Sequence, residues 1–333
     1  MKAARARLLH RVRCVFAALG CAVAAVAGMN AHAAPRLDLT GYADAAGAIT
    51  VLHGGESADP YFAMQALLLA HDNGFDIAAP AEKFVDWLLP KQKPDGTFDR
   101  FCRLDNGDWL ACKTADADDS LLAMWMRLLE TMPEKTSSQP AWSGSYRIAQ
   151  RSLAHLFQPS RGVYMVSPVY LHGLFMDNLE VWALKRHSRH ALPGEADALA
   201  QAIRSTFGKP DATGFLVSTQ LEQRWQPPVF YPDHVAQIFP LTLDFPMPAA
   251  KSHYAAWMAM HRGEWLRHSQ HDYPWGIIAV AALRQGDVQT VSCWLREAAG
   301  RRHSARWAVT DEVSMQLITA SGARPAPPQA ACT

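Results

Sequence analysis

The chain is short of one-sided charge, of strand signal and of the motifs that mark common cofactors. Lys and Arg number 32 against 31 Asp and Glu, a formal net charge of +1. No basic block carries interleaved aromatics, so the electrostatic footprint of a nucleic-acid binder is missing. There is no phosphate loop, no dinucleotide fingerprint and no His-Glu-x-x-His. Gly144, between Ser143 and Ser145, lacks the flanking pattern of a nucleophile elbow. His268-Ser269-Gln270-His271-Asp272 reads as a solvated interhelical loop. No cofactor and no metal are expected, and no segment after residue 33 is apolar enough to span a membrane.

The first 33 residues have a different character. Lys2, Arg5, Arg7, Arg11 and Arg13 form a basic start without acidic residues. An apolar run, Val15 to Gly28, follows, and Ala31-His32-Ala33 offers small residues where a signal peptidase reads. This pattern predicts a cleaved secretory signal and a periplasmic or secreted protein. Four cysteines lie beyond it. Cys102 and Cys112 flank a turn-rich loop, Arg103 to Trp109, and an exported chain can oxidise them to a disulfide. Cys293 falls in an apolar helical run and reads as a buried thiol. Cys332 falls in a Pro/Ala-rich tail, residues 323–333, whose composition predicts disorder.

Helical periodicity runs through most of residues 34–322, punctuated by Gly, Pro and Asp clusters. Two kinds of helix alternate. Six are apolar over most of their surface and begin near Pro60, Asp118, His172, Asp233, Pro274 and Thr310. The others are amphipathic, near 81–89, 145–156, 195–207, 252–267 and 288–299. An all-round apolar helix is buried, whereas an amphipathic one faces water on one side. Inner helices alternating with outer ones predict an all-α (α/α)6 toroid, with an outer partner supplied by residues 36–52. Only 163–166 and 214–219 carry fair strand signal.

Groups able to do chemistry fall on or before the inner helices. Glu56 and Asp59 precede the first, and Asp116, Asp118 and Asp119 open the second. Asp177, Asn178 and Glu180 lie in the third. Asp233 and His234 open the fourth, Tyr273 precedes the fifth, and Asp311 and Glu312 open the sixth. A single Asp at a helix start is explained by capping, at about 1 kcal/mol. Buried carboxylates on the most apolar helices are costly, and capping needs only one residue per helix. Tyr61, Trp109, Tyr231, Tyr273 and Trp275 accompany them. Carboxylates beside aromatic faces suit glycoside chemistry, in which one acid protonates the leaving oxygen and a second carboxylate activates water or attacks the sugar.

These residues resemble the six-hairpin glycosidase superfamily, and their nearest named pattern is glycoside hydrolase family 8. Gly54-Gly55-Glu56-Ser57-Ala58-Asp59-Pro60-Tyr61-Phe62-Ala63-Met64 is similar to the family's element carrying the general acid. Thr114-Ala115-Asp116-Ala117-Asp118-Asp119 is similar to its Asp-Ala-Asp element. The spacing from Glu56 to Tyr61 is one residue longer than the family's, and no Gly follows the Glu. The resemblance implies Glu56 as general acid and Asp116 and Asp118 as its catalytic partners. Tyr61, Trp109, Asp177, Glu180, Tyr231, Asp233, His234, Tyr273, Trp275 and Asp311 would line the cleft around a polysaccharide or oligosaccharide. The same toroid hosts silent glycan-binding proteins. It also hosts lyases and epimerases, for which Tyr231 or His234 would be the base. Asp116-Ala117-Asp118-Asp119 further resembles the acid motif of class II terpene cyclases, although those usually need more than one helical domain.

Overall fold

The computed structural model describes residues 34–115, 117–209, 214–222, 226–267 and 273–332. The expected signal segment and Asp116 lie outside the described residues. Residues 34–333 form one compact unit.

The inner layer begins with α1 (Pro60–Asp72), whose first turn is set by Pro60 and by the Asp59 side chain accepting from Tyr61 N. The first outer helix is α2 (Ala78–Leu88). Next come the inner α3 (Asp118–Glu130), a short connector α4 (Pro133–Ser138) and the outer α5 (Pro140–His155). The pair α6 (Phe175–His187) and α7 (Glu195–Phe207) repeats the plan. The fourth inner element is broken: a wide turn at Phe230–His234 leads into α8 (Val235–Ile238) and a tight turn at Phe239–Thr242. Pro232 and Pro240 explain the breaks, since neither can donate a helical hydrogen bond. The outer α9 (Ala250–Arg267), inner α10 (Gly276–Arg284), outer α11 (Val288–Ala298) and inner α12 (Val309–Ala320) complete the series.

Burial follows the expected division. In α3 every residue from Asp119 to Leu129 is buried, as are Ala66–Ala70 of α1 and Gly276–Ala282 of α10. In α7 the buried set is Leu199, Ala200, Ile203 and Phe207, a single stripe. The ring closes: α1 packs on α3 and α12, α3 on α6, α6 on the Phe239 turn, and that turn on α10, which meets α12. The protein is an all-α toroid.

Three local expectations need correction. Residues 36–52 do not supply an outer helix. Gly41 and Gly47 take positive φ, and Asp44 closes a turn onto the amides of Gly47 and Ala48. The segment instead lays Leu39, Tyr42 and Ile49 into the core and pairs Leu52 with Ala308. A three-stranded sheet, not expected from the sequence, is also present: β1 (Ser57–Ala58), β2 (Asp99–Arg103) and β3 (Trp109–Thr114), paired antiparallel in that order. Only Phe101 of β2 is buried, so hydrophobic alternation is weak there. The β2–β3 register shifts at Arg100/Phe101. Cys102 and Cys112 are disulfide-bonded across this hairpin. A smaller hairpin pairs β4 (Phe157–Gln158) with β5 (Val163–Tyr164).

The third correction is the C-terminal tail, which is not disordered through residue 332. Ala326 N donates to Ser292 O, and Arg296 Nη1 donates to the carbonyls of Pro327 and Ala330. Cys332 is disulfide-bonded to Cys293, so Cys293 is not a free thiol.

Candidate active site

The first turns of α1, α6, α8, α10 and α12 line one cavity, and Asp119 at the start of α3 interacts with Asp177 and Glu180 of α6. Spacing then selects the side chains that meet. Tyr61 and Gln65 are four apart on α1, and Asp177 and Glu180 three apart on α6, so each pair shares a helix face. Tyr61 Oη donates to Glu180 Oε1 at 2.9 Å, and Gln65 Nε2 donates to Tyr61 Oη at 3.2 Å and reaches Glu180 Oε1 at 3.5 Å. Asp119, from the start of α3, is fully buried beside Asp177 and Glu180.

Burial, then the neighbouring Asp177, pushes the Glu180 carboxyl up to about 8, against the pull of the Tyr61, Gln65 and Ser120 donors. Asp119 is raised well above the carboxylate range, first by burial and then by Asp177. Three buried carboxyls that interact in this way cannot all ionise near neutral pH. Near neutral pH Glu180 is therefore a protonated member. Its Oε1 already accepts from Tyr61, and its Oε2 is buried without a hydrogen-bond partner among the described residues.

Above this cluster lies a cavity of about 270 Å³ lined by Tyr61, Phe62, Gln65, Tyr231, Tyr273, Trp275 and Asp311, among others. Tyr231 stacks on Trp275 with ring centroids 4.9 Å apart. Phe62 lies 6.2 Å from Tyr273. The Trp275 indole N–H is buried without a partner among the described residues. Deeper along the ring axis, Glu180, Gln65, Asp72 and Arg127 line a second space of about 40 Å³, enough for a water or two.

Several of the expected site residues do meet here. Tyr61, Tyr231, Tyr273, Trp275 and Asp311 line one mouth, with Asp177 and Glu180 buried among the inner helices. Asp311 is structural as well, since its carboxylate accepts from Gly276 N at 2.7 Å and Ala308 N at 3.1 Å. Others do not fit the expected cleft. Glu56 is exposed, just before β1, and its carbonyl accepts from Arg103 N; it lacks the burial expected of the acid. Asp118 lines a separate cleft with Lys93, Asp95, His155 and Tyr170, and burial raises its carboxyl to about 6. Trp109 packs against Trp87 and donates to Asp44 at 2.8 Å. Asp233 accepts from Val229 N and so closes its own turn. His234 faces α9, with Nδ1 3.3 Å from Glu264 Oε2.

Asp119, noted at the opening of the second inner helix but given no role, joins the site, as does Gln65, which the sequence did not single out. The signal for Asp119 is its place beside Asp118, since a helix turns about 100° per residue and two adjacent acids cannot serve the same face.

No family model matches the chain. No curated protein matches it in sequence. Solved structures do match in shape. An alpha-amylase from Clostridium perfringens superposes with a TM-score of 0.58 at 8% identity, covering 84% of this chain and 93% of that one. A glycoside hydrolase family 63 mannosylglycerate hydrolase from Thermus thermophilus, in complex with glucose, gives 0.52 at 11% identity, covering 84% and 97%. A cold-adapted family 8 xylanase gives 0.53 at 10% identity, covering 84% and 85%. The chain shares with these structures a ring of inner and outer helices. At these identities the likeness is one of fold, and fold alone does not fix chemistry. For the toroid, that question turns on the mouth and the carboxyls beneath it.

Proposed function

We propose that the toroid is an exported glycoside hydrolase that holds a saccharide in the aromatic mouth and cleaves it with the carboxyls below. The observation that carries this reading is the set Asp119, Asp177 and Glu180, buried together with Glu180 raised to about 8. Burying several acids side by side costs stability, and such perturbed groups cluster at functional sites.

In this mechanism a sugar ring lies on the Tyr231–Trp275 stack, and Tyr61 and Gln65 orient Glu180. Glu180 gives its proton to the glycosidic oxygen as the C1–O bond breaks, releasing an alcohol. Asp177 stabilises the positive charge developing on the sugar and takes a proton from the water that adds to C1. The proton taken by Asp177 balances the one Glu180 lost. Glu180 thus replaces Glu56 as general acid. The mouth volume of about 270 Å³ falls just below the usual range of ligand pockets, roughly 300–1,000 Å³. That size favours a chain end or a short oligosaccharide over an internal stretch of polymer. Two disulfides support an oxidising compartment, in keeping with the basic-then-apolar start of the sequence.

The test is reducing-end release from a panel of oligosaccharides by the purified protein, alongside Glu180→Gln and Asp177→Asn. Activity in the parent chain that falls by orders of magnitude in both variants, with folding intact, supports the assignment. Full activity in Glu180→Gln places the acid elsewhere. No hydrolysis but saturable saccharide binding makes the toroid a glycan-binding protein.

A further inference from the structure

On the outer side of the broken fourth inner element, His234 meets two residues of α9. His261 and Glu264 are three apart on that helix and so share a face. His234 Nδ1 lies 3.3 Å from Glu264 Oε2, and His261 Nδ1 lies 3.7 Å from the same oxygen. The two imidazole centroids are 4.0 Å apart. One potential ligand atom from each residue falls within 4.8 Å of the others.

His261 hydrogen-bonds Glu264 within α9, but that bond does not account for His234, whose 3.3 Å separation from Glu264 is longer than the about 2.7–3.2 Å of ordinary nitrogen–oxygen hydrogen bonds. His234 Nδ1 is buried with no hydrogen-bond partner among the described residues. A tetrahedral ion with bonds of about 2.0–2.2 Å to imidazole nitrogen and carboxylate oxygen sets its ligands about 3.3–3.5 Å apart along each edge. Separations of 3.3 and 3.7 Å bracket that edge.

We propose that His234, His261 and Glu264 form a site for a divalent transition-metal ion of the zinc class, distinct from the carboxyl cluster. Two neutral imidazoles and one carboxylate suit zinc better than magnesium or calcium, which favour all-oxygen shells. Glu264 is exposed, so a fourth position is open to water. The backbone around His234 is anchored to the same helix, as Trp257 Nε1, also on α9, donates to His234 O at 2.8 Å. Tyr231 lies in the same turn as His234, and Tyr231 lines the mouth. The ion would therefore pin one wall of the mouth to the outer layer. It revises the expectation that the chain holds no metal and gives His234 a structural ligand's role.

The experiment is titration of the chelator-stripped protein with Zn²⁺ by calorimetry, with Co²⁺ as a spectroscopic probe and thermal melting as a second readout. One equivalent should bind at micromolar Zn²⁺ and raise Tm, and Co²⁺ should show intense four- or five-coordinate d–d bands. His261→Gln and Glu264→Gln should each weaken binding by more than the roughly 10- to 100-fold that loss of a supporting contact costs. In the stripped state both variants should melt close to the parent chain. A His268→Gln/His271→Gln variant should bind as the parent does. No saturable one-to-one binding overturns the proposal. So does binding that survives both α9 substitutions or is lost in the His268/His271 variant. These readouts are independent of any hydrolytic activity.

Discussion

At the scale of single residues, Glu180 sets a pH dependence of known sign. Its carboxyl is raised from an ordinary 4.5 to about 8 in the folded chain, so the folded state holds a proton that the unfolded state has released across that window. The stabilisation is fully present below about 4.5 and is lost as pH rises through about 8. Thermal melts should show the parent chain losing Tm between those values. Glu180→Gln, which cannot ionise, should flatten that loss and melt higher than the parent chain at pH 8–9. The same substitution removes the proposed acid and should lower hydrolysis by roughly 10²–10⁴-fold. Gain of stability with loss of activity is the mark of a site residue, and a purely structural Glu180 would not give it. In the parent chain the hydrolytic rate should fall as pH rises past about 8.

Among elements, the approach of α10 to α12 is a tight joint in the ring. A Cβ at Gly276 would come within 2.6 Å of Ser314 Cβ and 3.1 Å of Trp294 Cζ2. Gly276→Ala should therefore cost about 1–3 kcal/mol in urea unfolding through overpacking. Asp311 ties the same two helix starts by accepting from Gly276 N and Ala308 N. Asp311→Ala orphans both buried amides and should cost about 2–4 kcal/mol. Asp311→Asn keeps one acceptor and should cost less. If Asp311→Ala were neutral in unfolding, the clamp would have no energetic role.

For the whole molecule, the last disulfide fastens the end of the chain to α11. Cys293 and Cys332 are separated by 39 residues, a loop whose closure reduces unfolded-chain entropy by the equivalent of about 3–4 kcal/mol. Cys332→Ser should lower stability by about that amount, and reduction of the parent chain, which also opens Cys102–Cys112, should cost at least as much. An unchanged melting curve in Cys332→Ser would mean that Arg296 and Arg262, which donate to tail carbonyls, hold the tail without the bond.

Periodicity is a local property, so the sequence by itself determined the division into inner and outer helices. All six inner starts fall within three residues of the positions read from the apolar pattern. The Cys102–Cys112 pairing was legible for the same reason, since both ends lie within one turn-rich stretch. Which polar groups meet was decided only by the tertiary structure, because helix rotation and ring closure depend on distant packing. Asp118 and Asp119 are adjacent, yet one lines an outer cleft and the other is buried beside Asp177. His234 follows Tyr231 by three residues, but the break at Pro232 turns it toward α9 while Tyr231 lines the mouth. Glu56 carried the family resemblance in sequence and is exposed. Glu180 is buried because α6 is enclosed by its inner-helix neighbours, and that enclosure, rather than any motif, raises its carboxyl.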